Sequence, residues 1–199
     1  MRKRVRFLSV KGGVGKSVFT ILTAYYLKSL DISFLVEELD PLNPVCTLTS
    51  CDLPVVKFFD LNDVLYNRLG PKAGLEKEYS TKSWTYLIAD MLTGIKPREA
   101  VVSFQNSIVN KNINVFITDI NSLDETVEYA MNWKDGENFL VVNMVPEDEV
   151  DDVTERVNRL IYGTRFLVSA FVTPHDDKVS SLNPIKLDWF TKLMRRILV

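Results

Sequence analysis

This chain of 199 residues is poor in the side chains that build metal centres and nucleophilic sites, with two cysteines and one histidine. Cys46 and Cys51 lack the C-x-x-C spacing of a zinc or redox motif, and no paired cysteines occur late in the chain, which disfavours an iron–sulfur centre. Both read as reduced packing residues. The histidine, His175, falls in the loop Pro174-His175-Asp176-Asp177. No serine or cysteine is placed by sequence to partner it, so it reads as a loop residue rather than a general base. No run approaches the ~20 apolar residues of a membrane span. Met1-Arg2-Lys3-Arg4 leads straight into a strand pattern and not into the apolar core of a signal peptide, so the chain is expected in the cytoplasm. Internal repeats, low-complexity tracts and linkers are lacking too. With 24 basic and 26 acidic side chains the net charge is -2, which argues against a chain built wholly to bind nucleic acid, while leaving room for a local basic patch. Hydrophobic residues at 46% and charged ones at 25% are ordinary for a globular protein. The length predicts one domain, residues 1–199, with a substantial core.

Against this background one stretch carries chemistry. Lys11-Gly12-Gly13-Val14-Gly15-Lys16-Ser17 lies between a β-rich run, Val5 to Val10, and a long apolar helical pattern, Val18 to Leu30, so the glycines sit at a strand-to-helix turn. Glycine lets the backbone wrap an anion and aim consecutive N–H groups at it, and the helix start adds its positive dipole end. In such loops the lysine, here Lys16, reaches the β- and γ-phosphates of a nucleoside triphosphate, and the hydroxyl, here Ser17, takes a Mg²⁺ coordination place.

The remainder alternates strand and helix patterns. Ile32 to Val36 reads as a second buried strand ending in the acids Glu37, Glu38 and Asp40, at the carboxyl end where ligands bind in doubly wound sheets. Residues 41–54 read as a loop covering the ligand, because Pro41, Pro44 and Pro54 argue against a regular helix. A short helix is expected from Asp60 to near Gly70, a polar surface excursion from Pro71 to Ser83, a strand over Trp84 to Ala89, and a helix from Pro97 to Val109. Asn114 to Thr118 is a buried strand ending in Asp119, an apolar-run-then-acid arrangement that would hold a Mg²⁺-bound water. Ser122 and Glu125 are spaced as a capping box. Phe139 to Asn143 is a further strand, Glu147 to Tyr162 an amphipathic helix closed by Gly163, and Arg165 to Val172 a last strand. A terminal amphipathic helix, Lys186 to Val199, is expected to dock through Trp189 and Phe190 and to leave Lys192, Arg195 and Arg196 outward. The alternation implies an α/β fold, a mostly parallel twisted sheet with helices on both faces.

The phosphate loop has Val10 where the common pattern G-x-x-x-x-G-K-[ST] has glycine, and it adds Lys11. In this K-G-G-x-G-K-[ST] form it resembles the deviant Walker A loop of the ParA/MinD family of partition and positioning ATPases. Glu38-Leu39-Asp40-Pro41-Leu42 resembles that family's D-x-D-P-Q segment, with glutamate and leucine as departures that bear on hydrolysis rate. The strand ending in Asp119 resembles its Walker B strand, followed here by Ile120-Asn121-Ser122 in place of C-P-P. The resemblance implies a P-loop NTPase fold and ATP or ADP with Mg²⁺, bound by Lys11, Gly12, Gly13, Val14, Gly15, Lys16, Ser17 and Val18. Asn143 would face the adenine edge and Pro174 would border the base. Ser17, Asp40 and Asp119 would serve the metal, Asp40 would orient the attacking water, and Lys11 would reach the nucleotide of a second subunit.

The resemblance further implies an ATP-driven sandwich homodimer and a partner protein that stimulates hydrolysis. Release from DNA, or less readily from a membrane surface, would be timed in plasmid or chromosome partition or in intracellular positioning. Two alternatives share the fold: an ATP-dependent metabolic ligase or kinase of the dethiobiotin-synthetase type, and a nucleotide switch with weak hydrolysis.

Overall fold

The computed structural model describes residues 1–40, 45–50, 52–57, 75–97 and 108–198, with the side chains of Cys46, Leu75 and Glu76 left aside. Seven strands are described: β1 (Lys3–Leu8), β2 (Phe34–Glu38), β3 (Val55–Lys57), β4 (Tyr86–Asp90), β5 (Lys111–Thr118), β6 (Glu137–Val145) and β7 (Ser169–Pro174). They form one sheet in the order β3-β2-β4-β1-β5-β6-β7, every neighbouring pair parallel. The described helices are α1 (Lys16–Ser29), α2 (Val45–Leu48), α3 (Leu75–Thr81), α4 (Leu123–Ala130), α5 (Val150–Ile161) and α6 (Asp188–Ile197). This is the doubly wound α/β architecture that the alternating pattern predicts.

Because side chains alternate across a strand, the sheet has two apolar faces with separate cores. Val5, Phe7, Val36, Ile88, Val115 and Val141 bury one face with Phe19, Leu22 and Leu27 of α1 and Phe190, Leu193 and Ile197 of α6. Leu8, Leu35, Leu87, Phe116, Leu140 and Val142 bury the other with Tyr79 of α3, Leu123 of α4 and Val153 and Val157 of α5. The strands are largely apolar on both sides, as a parallel sheet covered on both faces requires, with Arg4, Arg6, Glu37 and Asn114 among the buried exceptions.

The terminal helix docks as expected. Phe190 is fully buried and its ring meets Phe19 at 5.7 Å. Trp189 is only partly buried; its indole N–H reaches Asp176 Oδ2 at 3.3 Å. The tail is pinned further by Lys3 Nζ and the Tyr86 hydroxyl, which both donate to Leu198 O, at 2.9 and 2.7 Å. Lys192, Arg195 and Arg196 are exposed. No helix among the described residues is long and apolar enough to cross a membrane.

Several expected boundaries move. The segment expected to be a loop up to Pro54 contains the short α2, and the sheet gains β3 at its edge, paired with β2. The polar excursion before Trp84 contains α3, whose Tyr79 is buried and donates its hydroxyl to the Glu37 carboxylate. The last strand starts at Ser169 rather than Arg165, since Gly163 turns the chain at φ +81° and pairing with β6 begins only there. Ser122 makes no side-chain cap; the Asp119 carboxylate takes that place, accepting from Ser122 N at 2.8 Å. Cys51 and the expected helix from Asp60 to Gly70 lie outside the described residues, as does almost all of the one from Pro97 to Val109.

Candidate functional site

β1 ends at Leu8 and α1 begins at Lys16, so the glycine loop spans the carboxyl edge of the central strand. Gly13 at φ +79° and Gly15 at φ +104° occupy the left-handed region, where a Cβ would strain the backbone. Ser9 Oγ donates to Lys11 O at 2.8 Å and fixes the first bend. The result is a cleft of about 240 Å³ bounded by Gly12, Gly15, Lys16, Ser17, Asp40 and Thr93. A larger hollow of about 450 Å³ lies beside it, between Tyr25, Leu48, Asn183 and Ile185, but no charged residue lines it. The smaller cleft is the one lined by charged residues, Lys16 and Asp40.

Lys16 is largely buried, and its ammonium donates to the Thr93 hydroxyl at 2.7 Å. Burial lowers its pKa, while the charges of Asp90 and Asp40 oppose that shift and favour the ammonium. Asp90 is the residue that the sequence reading passed over. It closes β4, in register with Phe7 of β1 on one side and Glu38 of β2 on the other. Its carboxylate is fully buried, and neither oxygen has a hydrogen-bond partner of ordinary geometry. Burial pushes its pKa up to about 7; the nearby Ser17 hydroxyl and Lys16 ammonium pull it down, and Asp40 and Glu38 push it up again. A buried acid left without partners is costly. Beside the Ser17 hydroxyl it suits a hard cation that brings its own waters and phosphate ligands. Among the described residues no group of three His, Cys, Asp or Glu side chains could hold a metal by itself.

The remaining expected residues are placed as follows. Asp40 and Glu38 are buried at the end of β2, and Asp40 faces the cleft. Asp119 follows β5, on the other side of β1 from Asp90. Partial burial works against its ionisation, but hydrogen bonds from Lys11 and Ser122 win and hold its pKa below the ordinary value. The Lys11 ammonium meets Asp119 Oδ2 at 2.7 Å while its own side chain stays 53% exposed. The loop's first lysine is thus latched to the acid expected at the metal. Val14 is buried, and Ser17 and Val18 line the cleft. Asn143 is buried behind the loop, with Nδ2 donating to Val14 O at 3.0 Å. Pro174 ends β7, paired with Val145. His175 is exposed, 3.9 Å from Asp177.

Asp90 and Thr93 were legible in principle. Asp90-Met91-Leu92-Thr93-Gly94 follows an apolar strand, and Gly94, at φ +68°, donates its N–H to Ser9 O at 2.8 Å, which folds this turn against the phosphate loop. An acid followed by a near glycine was the available signal.

No family model matches the sequence, and no curated protein matches it. Solved structures do. A chain of the MinC:MinD cell division complex of Aquifex aeolicus superposes with a TM-score of 0.63 at 17% identity, over 98% of this chain and 96% of that one. A nucleotide-binding protein from Archaeoglobus fulgidus in complex with ADP gives a TM-score of 0.58 at 17% identity, over 92% and 85%. A putative plasmid partition protein from Borrelia burgdorferi bound to AMPPNP gives 0.60 at 13% identity, over 100% and 97%. The chain has the ParA/MinD-like fold.

Proposed function

We propose that this protein is a Mg²⁺-dependent ATPase that binds ATP in the glycine-loop cleft and dimerises across it, acting in DNA partition or intracellular positioning. The observation that carries the reading is the convergence of Lys16, Ser17 and the buried carboxylate of Asp90 at one end of β1. ADP and AMPPNP in two proteins of the same fold support the choice of ligand.

In this reading the backbone of Gly12 to Ser17 cradles the phosphates, and Lys16 exchanges Thr93 for phosphate oxygens, a stronger charge-assisted partner. Ser17 and Asp90 would hold Mg²⁺, which would supply neutralisation of the phosphate charge. Asp40, facing the same cleft, orients the attacking water. Asp119 serves Lys11 rather than the metal, and Lys11 leaves it to reach the nucleotide of a second copy. A partner protein that stimulates hydrolysis completes the cycle, and the exposed Lys192, Arg195 and Arg196 supply a modest, salt-sensitive affinity for DNA. Calorimetric titration of ATP with Mg²⁺ tests the core of the reading: wild type binds, and Lys16→Ala abolishes binding. Equal affinity in the two proteins would remove the nucleotide site. Asp40→Ala should keep binding and stop phosphate release.

A further inference from the structure

Asn143 precedes Met144, whose φ of +59° is rare for a residue with a side chain. There the register between β6 and β7 slips, between Val142 and Val145. Such a bulge re-aims the side chains beside it. The Asn143 amide is buried and engaged at both ends: Nδ2 donates to Val14 O at 3.0 Å, and Oδ1 accepts from the Thr173 hydroxyl at 2.9 Å. Since the Val14 carbonyl can only accept, the amide has one possible orientation.

A trans peptide points its C=O and N–H in opposite directions. With the Val14 carbonyl turned back to β6, the N–H of the same peptide, that of Gly15, is turned away from β6. Gly15 lines the phosphate cleft. The glycine is needed twice, because a Cβ there would meet Asn143 Nδ2 at 2.8 Å and φ is +104°.

We infer that Asn143, held by Thr173, is a positioning residue that sets the Val14–Gly15 peptide for phosphate binding and does not read the base. The inference rests on the nucleotide reading above. Its test compares Mg²⁺-ATP with Mg²⁺-tripolyphosphate, which has the phosphates and no base, by calorimetry on the whole chain. Wild type binds both. Asn143→Ala weakens both by the same factor, roughly tenfold for one lost buried hydrogen bond and a freed peptide. Thr173→Val, close in shape and expected to fold, weakens both by a smaller common factor, and the double variant falls short of the product of the two. Loss of ATP affinity with tripolyphosphate binding intact would overturn the inference in favour of base recognition. Unchanged affinity for both ligands in both variants would overturn it in favour of simple packing. Wild type that binds neither ligand would instead bring down the nucleotide reading itself.

Discussion

Glu37 and Asp90 are two fully buried acids on neighbouring strands, and they are treated in opposite ways. Glu37 faces the α3 side of the sheet. It accepts from Arg4, including Nε at 2.9 Å, and from the Tyr79 hydroxyl, so its charge is matched inside the protein. Asp90, whose register partner on β2 is the next residue, Glu38, faces the α1 side; neither oxygen makes a hydrogen bond of ordinary geometry, and only the nearby Ser17 hydroxyl and Lys16 ammonium favour its charge. The same residue class, at the same depth, is spent on the fold in one case and kept open in the other. Glu37 is matched within the fold, whereas Asp90 sits at the carboxyl end of a strand beside the glycine loop, which is where the proposed reading puts a ligand.

The comparison breaks most visibly on the satisfied side. Arg4→Met leaves Glu37 buried without its cation, and unfolding in urea should show a loss of about 3–5 kcal/mol. ATP affinity of the folded variant should stay within about a factor of two, since Arg4 lies on the face away from the cleft. A loss of ATP binding without a loss of stability would erase the distinction between the two acids.

The open side should show the reverse. With its folded pKa raised to about 7, Asp90 is protonated below about pH 7 in the empty protein, while an unfolded chain ionises it above about pH 4. The folded state then holds the extra proton, so stability falls as pH rises from about 4 to 7 and levels off above, a contribution on the order of a few kcal/mol. Asp90→Asn should remove that part of the decline, narrowing the difference between melting points at pH 5 and pH 8 without nucleotide or Mg²⁺. An unchanged difference would mean that Asp90 is not the strained acid.

The smallest expected effect on stability belongs to the exposed latch. Removing it with Lys11→Ala should cost less than about 1 kcal/mol, as exposed ion pairs do. Light scattering with a non-hydrolysable ATP analogue should nevertheless show the dimer of the wild type lost in the variant. A persistent dimer would leave Lys11 with the latch to Asp119 alone.

The conformation of the glycine loop could be read directly because its requirements are local: glycines where φ is positive, at Gly13 and Gly15, then lysine and hydroxyl at the helix start. The parallel sheet was legible from apolar runs bounded by turns. The acid beside Ser17 was harder to single out, because two strands end in an acid, β4 at Asp90 and β5 just before Asp119, and both flank β1. Which acid meets Ser17 depends on the side of β1 to which each strand is added, and spacing along one strand does not encode that. Asn143, expected at the adenine edge, lies behind the glycine loop. Its contact with Val14 depends on the bulge at Met144, a backbone feature with no glycine to announce it.

The most direct measurement is the Mg²⁺ dependence of ATP affinity in wild type, Asp90→Asn and Asp119→Asn, titrated with Mg²⁺ and again with EDTA. Expected is a wild type whose affinity Mg²⁺ increases, an Asp119→Asn variant that keeps that increase, and an Asp90→Asn variant that loses about tenfold or more of it. If Asp90→Asn keeps the full Mg²⁺ effect and Asp119→Asn loses it, the open acid of β4 is not the metal's, and the site must be redrawn around Asp119.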